Sequence, residues 1–176
     1  MTYNIDDFIW KTLPDGVSAE LLGIKNPDAL GRGAELEIPE RFDGRPLRRI
    51  AEFAFKGTQG LASVEIPRSV REIGGCAFAY CFGLKRVGIQ RDVERVGVGA
   101  FSGCVSLESF DLPDSLTRIG TRAFYNCASL ATLTLPRGLV DVARCAFDKL
   151  TTLRVFADSV GERYAKDNGY RYALAR

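Results

Sequence analysis

Val96-Gly97-Val98-Gly99-Ala100-Phe101-Ser102-Gly103-Cys104-Val105-Ser106-Leu107-Glu108-Ser109-Phe110-Asp111-Leu112-Pro113 is the middle copy of a unit that the chain repeats. Its Ala-Phe pair recurs as Ala54-Phe55, Ala77-Phe78, Ala123-Phe124 and Ala146-Phe147, at an unbroken interval of 23 residues. A constant period of this size marks a stacked-repeat solenoid, because one unit exposes an apolar edge that only a neighbouring copy can bury. Further columns keep the phase: Leu61, Leu84, Leu107, Leu130, Leu153; Ile50, Ile73, Val96, Ile119, Val142; and Val64, Val87, Phe110, Leu133, Phe156. A fourth column, Ile66, Ile89, Leu112, Leu135, fails at Asp158, where the stack is expected to end.

Within each unit, Ser63 to Ile66, Arg86 to Ile89, Ser109 to Leu112 and Thr132 to Leu135 alternate outward and inward residues, the period of a strand. Proline follows three of these four segments and ends the strand at a turn, Gln90 being the exception. A second short strand is expected at Arg71 to Ile73 and its equivalents, followed by Gly74, Gly97 and Gly120, glycines placed where turns need them. The Ala-Phe segment is expected to form a single helical or 3-10 turn, so that parallel sheets run along the stack.

The unit Ile-Gly-x-x-Ala-Phe-x-x-Cys-x-x-Leu-x-x-Leu-x-Leu-Pro-x-x-Leu, read from Ile119 to Leu139 and repeated with small changes over residues 50 to 156, resembles the BspA-type leucine-rich repeat. That resemblance implies an α/β leucine-rich-repeat solenoid, a right-handed superhelix of 23-residue coils with short parallel strands. It also implies the company of bacterial and protist proteins used largely at surfaces and in adhesion.

The ends depart from the repeat. Phe8 to Leu13 and Val17 to Ile24 read as a hairpin around Pro14-Asp15-Gly16, where Pro fixes φ and Gly accepts a positive one. This N-terminal hairpin cap, residues 1–33, is expected to cover the first coil's apolar edge, with Trp10 packed into it. Residues 34–49 form a divergent first coil that carries the insertion Phe42-Asp43-Gly44-Arg45-Pro46, similar to the entry repeat of the same family. Regular repeats fill 50–157, and 158–176 form a C-terminal helical cap. Its helix is expected to start at Asp158 or Ser159, to use Glu162 in a capping box, and to stop at Gly169, with a last strand over Tyr170 to Leu174. All 176 residues then make one domain.

Composition removes several functions. A net charge of +2, from 24 basic and 22 acidic residues, argues against a dedicated nucleic-acid binder, and Asp114 interrupts the one basic column of Arg68, Arg91 and Arg137. No apolar run reaches the ~18 residues needed to cross a bilayer. The start, Met1-Thr2-Tyr3-Asn4-Ile5-Asp6-Asp7, lacks a secretory pattern, so the chain as written is expected in the cytoplasm; trimming from a longer precursor would instead allow the cell surface or secretion. Of five cysteines, Cys81, Cys104 and Cys127 share one column and Cys76 and Cys145 another. All five are expected to be small buried thiols beneath a turn.

The absence of histidine removes Ser-His-Asp and Cys-His catalysis and imidazole metal sites, and there is no phosphate-binding glycine loop. Glu65 and Asp111, two coils apart, would stand roughly 10 Å apart by strand spacing, a distance a glycosidase can use, but the sequence indicates no acid-rich cleft. No catalytic residue, cofactor or metal is therefore assigned. Binding is the better expectation, because a solenoid offers a sheet face whose outward positions vary freely. Those positions are Ser63, Glu65, Arg86, Gly88, Ser109, Asp111, Thr132 and Thr134. The reading is a non-catalytic interaction module that binds a protein, or in second place a glycan, on this face; the alternative is a structural or scaffold unit without a dedicated ligand face.

Overall fold

The computed structural model describes residues 4 to 175. The chain opens with β1 (Phe8–Thr12) and β2 (Ala19–Ile24), an antiparallel hairpin. Its turn is fixed by Asp15, whose carboxylate accepts the N–H groups of Val17 and Ser18 at 2.9 Å each. β3 (Ala34–Glu37) follows, then β4 (Arg41–Phe42) and β5 (Arg45–Ile50), which fold back on each other about Asp43-Gly44. Both turn residues have positive φ, 48° and 72°, the backbone a two-residue hairpin requires.

From there each coil contributes two strands. They are β6 (Leu61–Ile66) and β7 (Glu72–Ile73), β8 (Arg86–Ile89) and β9 (Arg95–Val96), β10 (Ser109–Phe110) and β11 (Arg118–Ile119), and β12 (Thr132–Thr134) and β13 (Asp141–Val142). β14 (Thr152–Val155), helix α1 (Val160–Asp167) and β15 (Tyr172–Leu174) close the stack. The first strands build a parallel sheet β3-β6-β8-β10, continued by a separate β12-β14-β15. The second strands join β1 and β2 in the order β1-β2-β5-β7-β9-β11-β13, with β4 paired to β5.

A third ladder holds the Ala-Phe segments. The N–H groups of Phe55, Phe78, Phe101 and Phe124 donate to the carbonyls of Ala77, Ala100, Ala123 and Ala146 at 2.7, 2.7, 2.8 and 2.6 Å. Inside each turn the bonds run from i to i+3, as at Ala79 to Cys76 (3.1 Å). No continuous helix forms there, because a left-handed residue interrupts every coil: Phe53, Cys76, Gly99, Arg122 and Cys145, with φ of 61°, 51°, 62°, 55° and 55°. The phenylalanine rings stack in one file, with centroids 5.1, 5.3, 5.4 and 5.8 Å apart from Phe55 to Phe147. Phe110, larger than Val87 beside it, wedges edge-on between Phe101 and Phe124 at 4.9 Å from each, at the point where the first sheet breaks.

Three expectations change. Gly74, Gly97 and Gly120 have no positive φ; a Cβ at Gly97 would stand 2.7 Å from the Gly74 carbonyl carbon, so these glycines serve close backbone approach between coils. In the last coil, Leu153 pairs with Leu133 rather than following Leu130, and Thr152 with Thr132, so the coil is shorter than its 23-residue forerunners. Leu153 therefore takes the inner place expected for Phe156, and Val155 continues the fourth column past Leu135, where Asp158 was expected to break it. Phe156 turns half out, covered by the Arg137 guanidinium at 4.1 Å from its ring. The third change concerns the thiols. Cys81, Cys104 and Cys127 are buried and donate to the carbonyls of Phe55, Phe78 and Phe101 at 3.1, 3.1 and 3.2 Å. Cys76 is only half-buried and Cys145 is exposed, because their column is the left-handed one and turns the side chain out of the core.

Both ends are closed by aromatic side chains. Phe8 and Trp10 pack on Phe42, with centroids 5.8 and 5.6 Å away, and β2 continues the second sheet in parallel with β5. At the other end Tyr164 and Tyr170 meet Phe147 edge-on at 5.8 and 6.2 Å. The Tyr164 hydroxyl accepts the Ala146 N–H at 3.2 Å, and the Tyr170 hydroxyl donates to the Phe147 carbonyl at 3.0 Å. Burial pushes the Tyr164 phenol well above its ordinary pKa. Ser159 caps α1 by accepting the Glu162 N–H at 3.1 Å, while Glu162 reaches past it to the Asp158 N–H at 2.8 Å.

Candidate functional site

The outward positions of the first sheet fall into two rows fixed by strand register. One runs Glu35, Ser63, Arg86, Ser109, and the other begins Glu37, Glu65, Gly88. Thr132 and Thr134 lie beyond the break, in register with Thr152 and Arg154, and Asp111 follows the end of β10. The structure thus brings Ser63, Arg86 and Ser109 together, and Glu65 with Gly88, while the two threonines sit on a separate piece of sheet.

Ser63 is 9% exposed despite its outward position. Glu35 and Arg86 flank it on adjacent strands and form an ion pair across it, with N and O 3.6 Å apart, and that pair shields the hydroxyl. Glu65 lies across the strand beside it, filling the space a side chain at Gly88 would take, so Gly88 works by letting the carboxylate fold over. The remaining six positions, Glu65, Arg86, Ser109, Asp111, Thr132 and Thr134, are exposed.

A shallow groove of about 1000 Å³ runs along β3 and onto this face. Glu35, Glu37, Glu40 and Glu65 line it, with Arg32 and Arg86. Arg68 engages Glu40 at 3.2 Å and Arg86 engages Glu35, whereas Glu37 and Glu65, register partners, have no cation within 4.0 Å among the described residues. Such a groove can receive extended chain or polar groups and favours positive charge. Glu35 and Glu37 escape a repeat-based reading because they stand in the divergent first coil; the signal that finds them is the 28-residue step that puts Leu36 beside Val64.

The second sheet presents a different surface. Lys11, Glu20, Arg49, Glu72 and Arg95 occupy consecutive register positions, and each neighbouring pair is joined, at 2.9, 3.4, 3.0 and 3.0 Å. Arg71 adds contacts to Asp92 and Glu94 at 3.2 and 3.7 Å. Opposite charges at the repeat spacing would have revealed Arg49, Glu72 and Arg95 in the sequence, while Lys11 and Glu20 stand outside that spacing.

Stacked coils of two strands and a turn, a continuous phenylalanine file and an open sheet face define a leucine-rich repeat solenoid. The family model described as the BspA type leucine rich repeat region matches residues 35–154 in six copies, and the chain belongs to that family. A leucine-rich repeat protein of T. pallidum shares the fold with a TM-score of 0.80 at 24% identity, over 98% of each chain. One from Bacteroides ovatus gives 0.73 at 28% identity, over 87% of this chain and 40% of that one. A leucine rich cell surface protein from Faecalibacterium prausnitzii gives 0.55 at 22% identity, over 91% of this chain and 55% of that one. No curated protein matches the chain. These relatives are repeat proteins of a non-enzymatic fold class, commonly interaction or scaffold modules. No helix among the described residues is long and apolar enough to cross a membrane.

Proposed function

We propose that this chain is a non-catalytic interaction module that binds a protein partner on the first-sheet face, with the groove along β3 as the centre of contact. The observation that carries the reading is the Glu37 and Glu65 pair, side by side in register and without a cation within 4.0 Å among the described residues. Two adjacent unneutralised carboxylates repel each other, and a lysine or arginine from a partner relieves that repulsion while an extended segment fills the groove. Arg86 at its edge, and Ser109 and Asp111 beyond it, supply polar contacts. The name of the Faecalibacterium prausnitzii structure as a cell surface protein supports a surface location, the alternative to the cytoplasm.

The scaffold reading draws its support from the other half of the face, where Thr132 and Thr134 offer small polar groups on a separate piece of sheet. A pull-down from native lysate separates the two readings, run with the parent chain beside a Glu37→Arg, Glu65→Arg variant that melts at the same temperature. A partner held by the parent and lost by the variant supports binding on this face. A partner held equally by both removes the sheet face from the proposal, and no specific partner favours the scaffold.

A further inference from the structure

The turns that carry the Ala-Phe segments form a third face, and its outer side bears aromatic rings that the core does not use. Phe53, Tyr80, Phe82 and Tyr125 are 55%, 48%, 47% and 49% exposed. Three of the rings leave a backbone that is already tied down: the Phe53 N–H donates to Gly75 at 3.0 Å, the Tyr80 N–H to Ser102 at 2.8 Å and the Tyr125 N–H to Arg122 at 3.2 Å. The Gln59 amide bridges the carbonyls of Gly57 and Tyr80 at 2.9 and 3.2 Å. Tyr80 and Phe82 meet edge-on at 6.3 Å, and the Tyr80 ring lies across Gly103, where a Cβ would stand 2.7 Å from its Cδ1. Tyr80 is therefore held in place before anything binds, and Phe82 packs on it.

Cations are set among them. The Lys56 ammonium stands 5.3 Å from the Phe53 ring and 5.9 Å from Tyr80, and the Arg122 guanidinium 5.6 Å from Tyr125. Neither cation has a carboxylate within 4.0 Å among the described residues, in contrast to the paired row on the second sheet. The nearest acid in sequence, Glu52, lies against Gly75, its Oε1 3.7 Å from where a Cβ would be. Exposed aromatic side chains with arginine are the composition of interface centres, and the sign of an unneutralised charge selects the partner.

We infer that this ridge is a second docking surface, independent of the sheet face, for an acidic protein segment that carries an aromatic side chain. Its ring packs on Phe53, Tyr80 and Phe82, and its carboxylates lie on Lys56 and Arg122. Those two cations are three coils apart, about 14 Å at ~4.8 Å per coil, which an extended chain covers in about four residues. In a strand, residues i, i+2 and i+4 share a face, so the matching motif is acid-x-aromatic-x-acid.

Fluorescence anisotropy tests this with a labelled Glu-Ser-Phe-Ser-Glu peptide beside Lys-Ser-Phe-Ser-Lys and Glu-Ser-Ser-Ser-Glu. The acidic aromatic peptide is expected to bind at least about tenfold more tightly than either control, a difference of ~1.4 kcal/mol. A triple Phe53→Ser, Tyr80→Ser, Phe82→Ser variant should lose that binding. Lys56→Glu, a change at one exposed side chain, should weaken it by about tenfold or more and keeps the test decisive if the triple variant folds poorly. Equal affinity for the three peptides, no saturable binding of the acidic aromatic one, or undiminished binding by Lys56→Glu overturns the inference. Displacement of the peptide by a sulfated polysaccharide at lower concentration than by unlabelled peptide overturns it in favour of a glycan.

Discussion

The second sheet and the turn ridge are both exposed, both built by the same repeat, and opposite in how they treat charge. Along the sheet, Glu20, Arg49, Glu72 and Arg95 neutralise one another from strand to strand, as far as Arg118, the next residue in register, which has no carboxylate within 4.0 Å among the described residues. On the ridge, Lys56 and Arg122 face aromatic rings and leave their charge to whatever approaches. Equal spacing between coils therefore has two uses: it lines up partners within the chain, or it lines up groups for a partner outside it.

The contrast requires that both faces rest on one interior, which gives the largest expected effect. Phe101→Ala, in the middle of the ring file, should cost about 3–5 kcal/mol in thermal or denaturant unfolding; an unchanged melting temperature would sink the shared-core account. Next comes the thiol beneath the ridge. Cys81 lies between the exposed Tyr80 and Phe82, and burial pushes its pKa from 9.0 up to about 11. Above pH ~9 the unfolded chain gives up this proton while the folded chain keeps it, so stability is complete below that pH and falls as pH rises towards 11. That interval is worth about 2–3 kcal/mol. Cys81→Ala should show a correspondingly smaller loss between pH 9 and 11 in denaturant titrations; an identical loss would mean that the thiol is not shielded. Cys104 and Cys127 are raised by burial in the same direction.

Smaller changes sharpen the two surfaces themselves. Glu72→Lys places a third cation between Arg49 and Arg95 and should lower stability by about 1 kcal/mol, less at high salt. Phe82→Ser, on the ridge, should leave stability within about 0.5 kcal/mol. If Phe82→Ser proves the more damaging of the two in parallel melts, the ridge aromatics are structural and the contrast fails.

The sequence shows the solenoid plainly, because Phe55 to Phe147 must repeat at the coil length for their rings to stack. It also shows the cap hairpin and α1, whose Pro14-Asp15-Gly16 turn and Ser159 cap act locally. The final coil was illegible for a physical reason: Leu153 satisfies an apolar column whether aligned with Leu130 or Leu133, and only hydrogen-bond register decides. Cys76 and Cys145 could have been read correctly, since Arg122 shares their column and an arginine there points outward. On the sheet face, alternation gave the outward positions but not the shielding of Ser63, which depends on an ion pair between residues two strands apart. The ridge lies in turns, where neither strand nor helix period says which side of a residue meets water.

Tyr164 and Tyr170 lie outside the repeating unit, yet their hydroxyls meet Ala146 and Phe147 at the backbone, and the Tyr170 phenol does there what a thiol does in the coils before. The termination is thus indifferent to copy number. A duplication or loss of one whole 23-residue unit between Ile50 and Phe147 leaves both ends chemically satisfied and changes the length by ~4.8 Å. A change in copy number would then alter the faces and leave the two ends as they are.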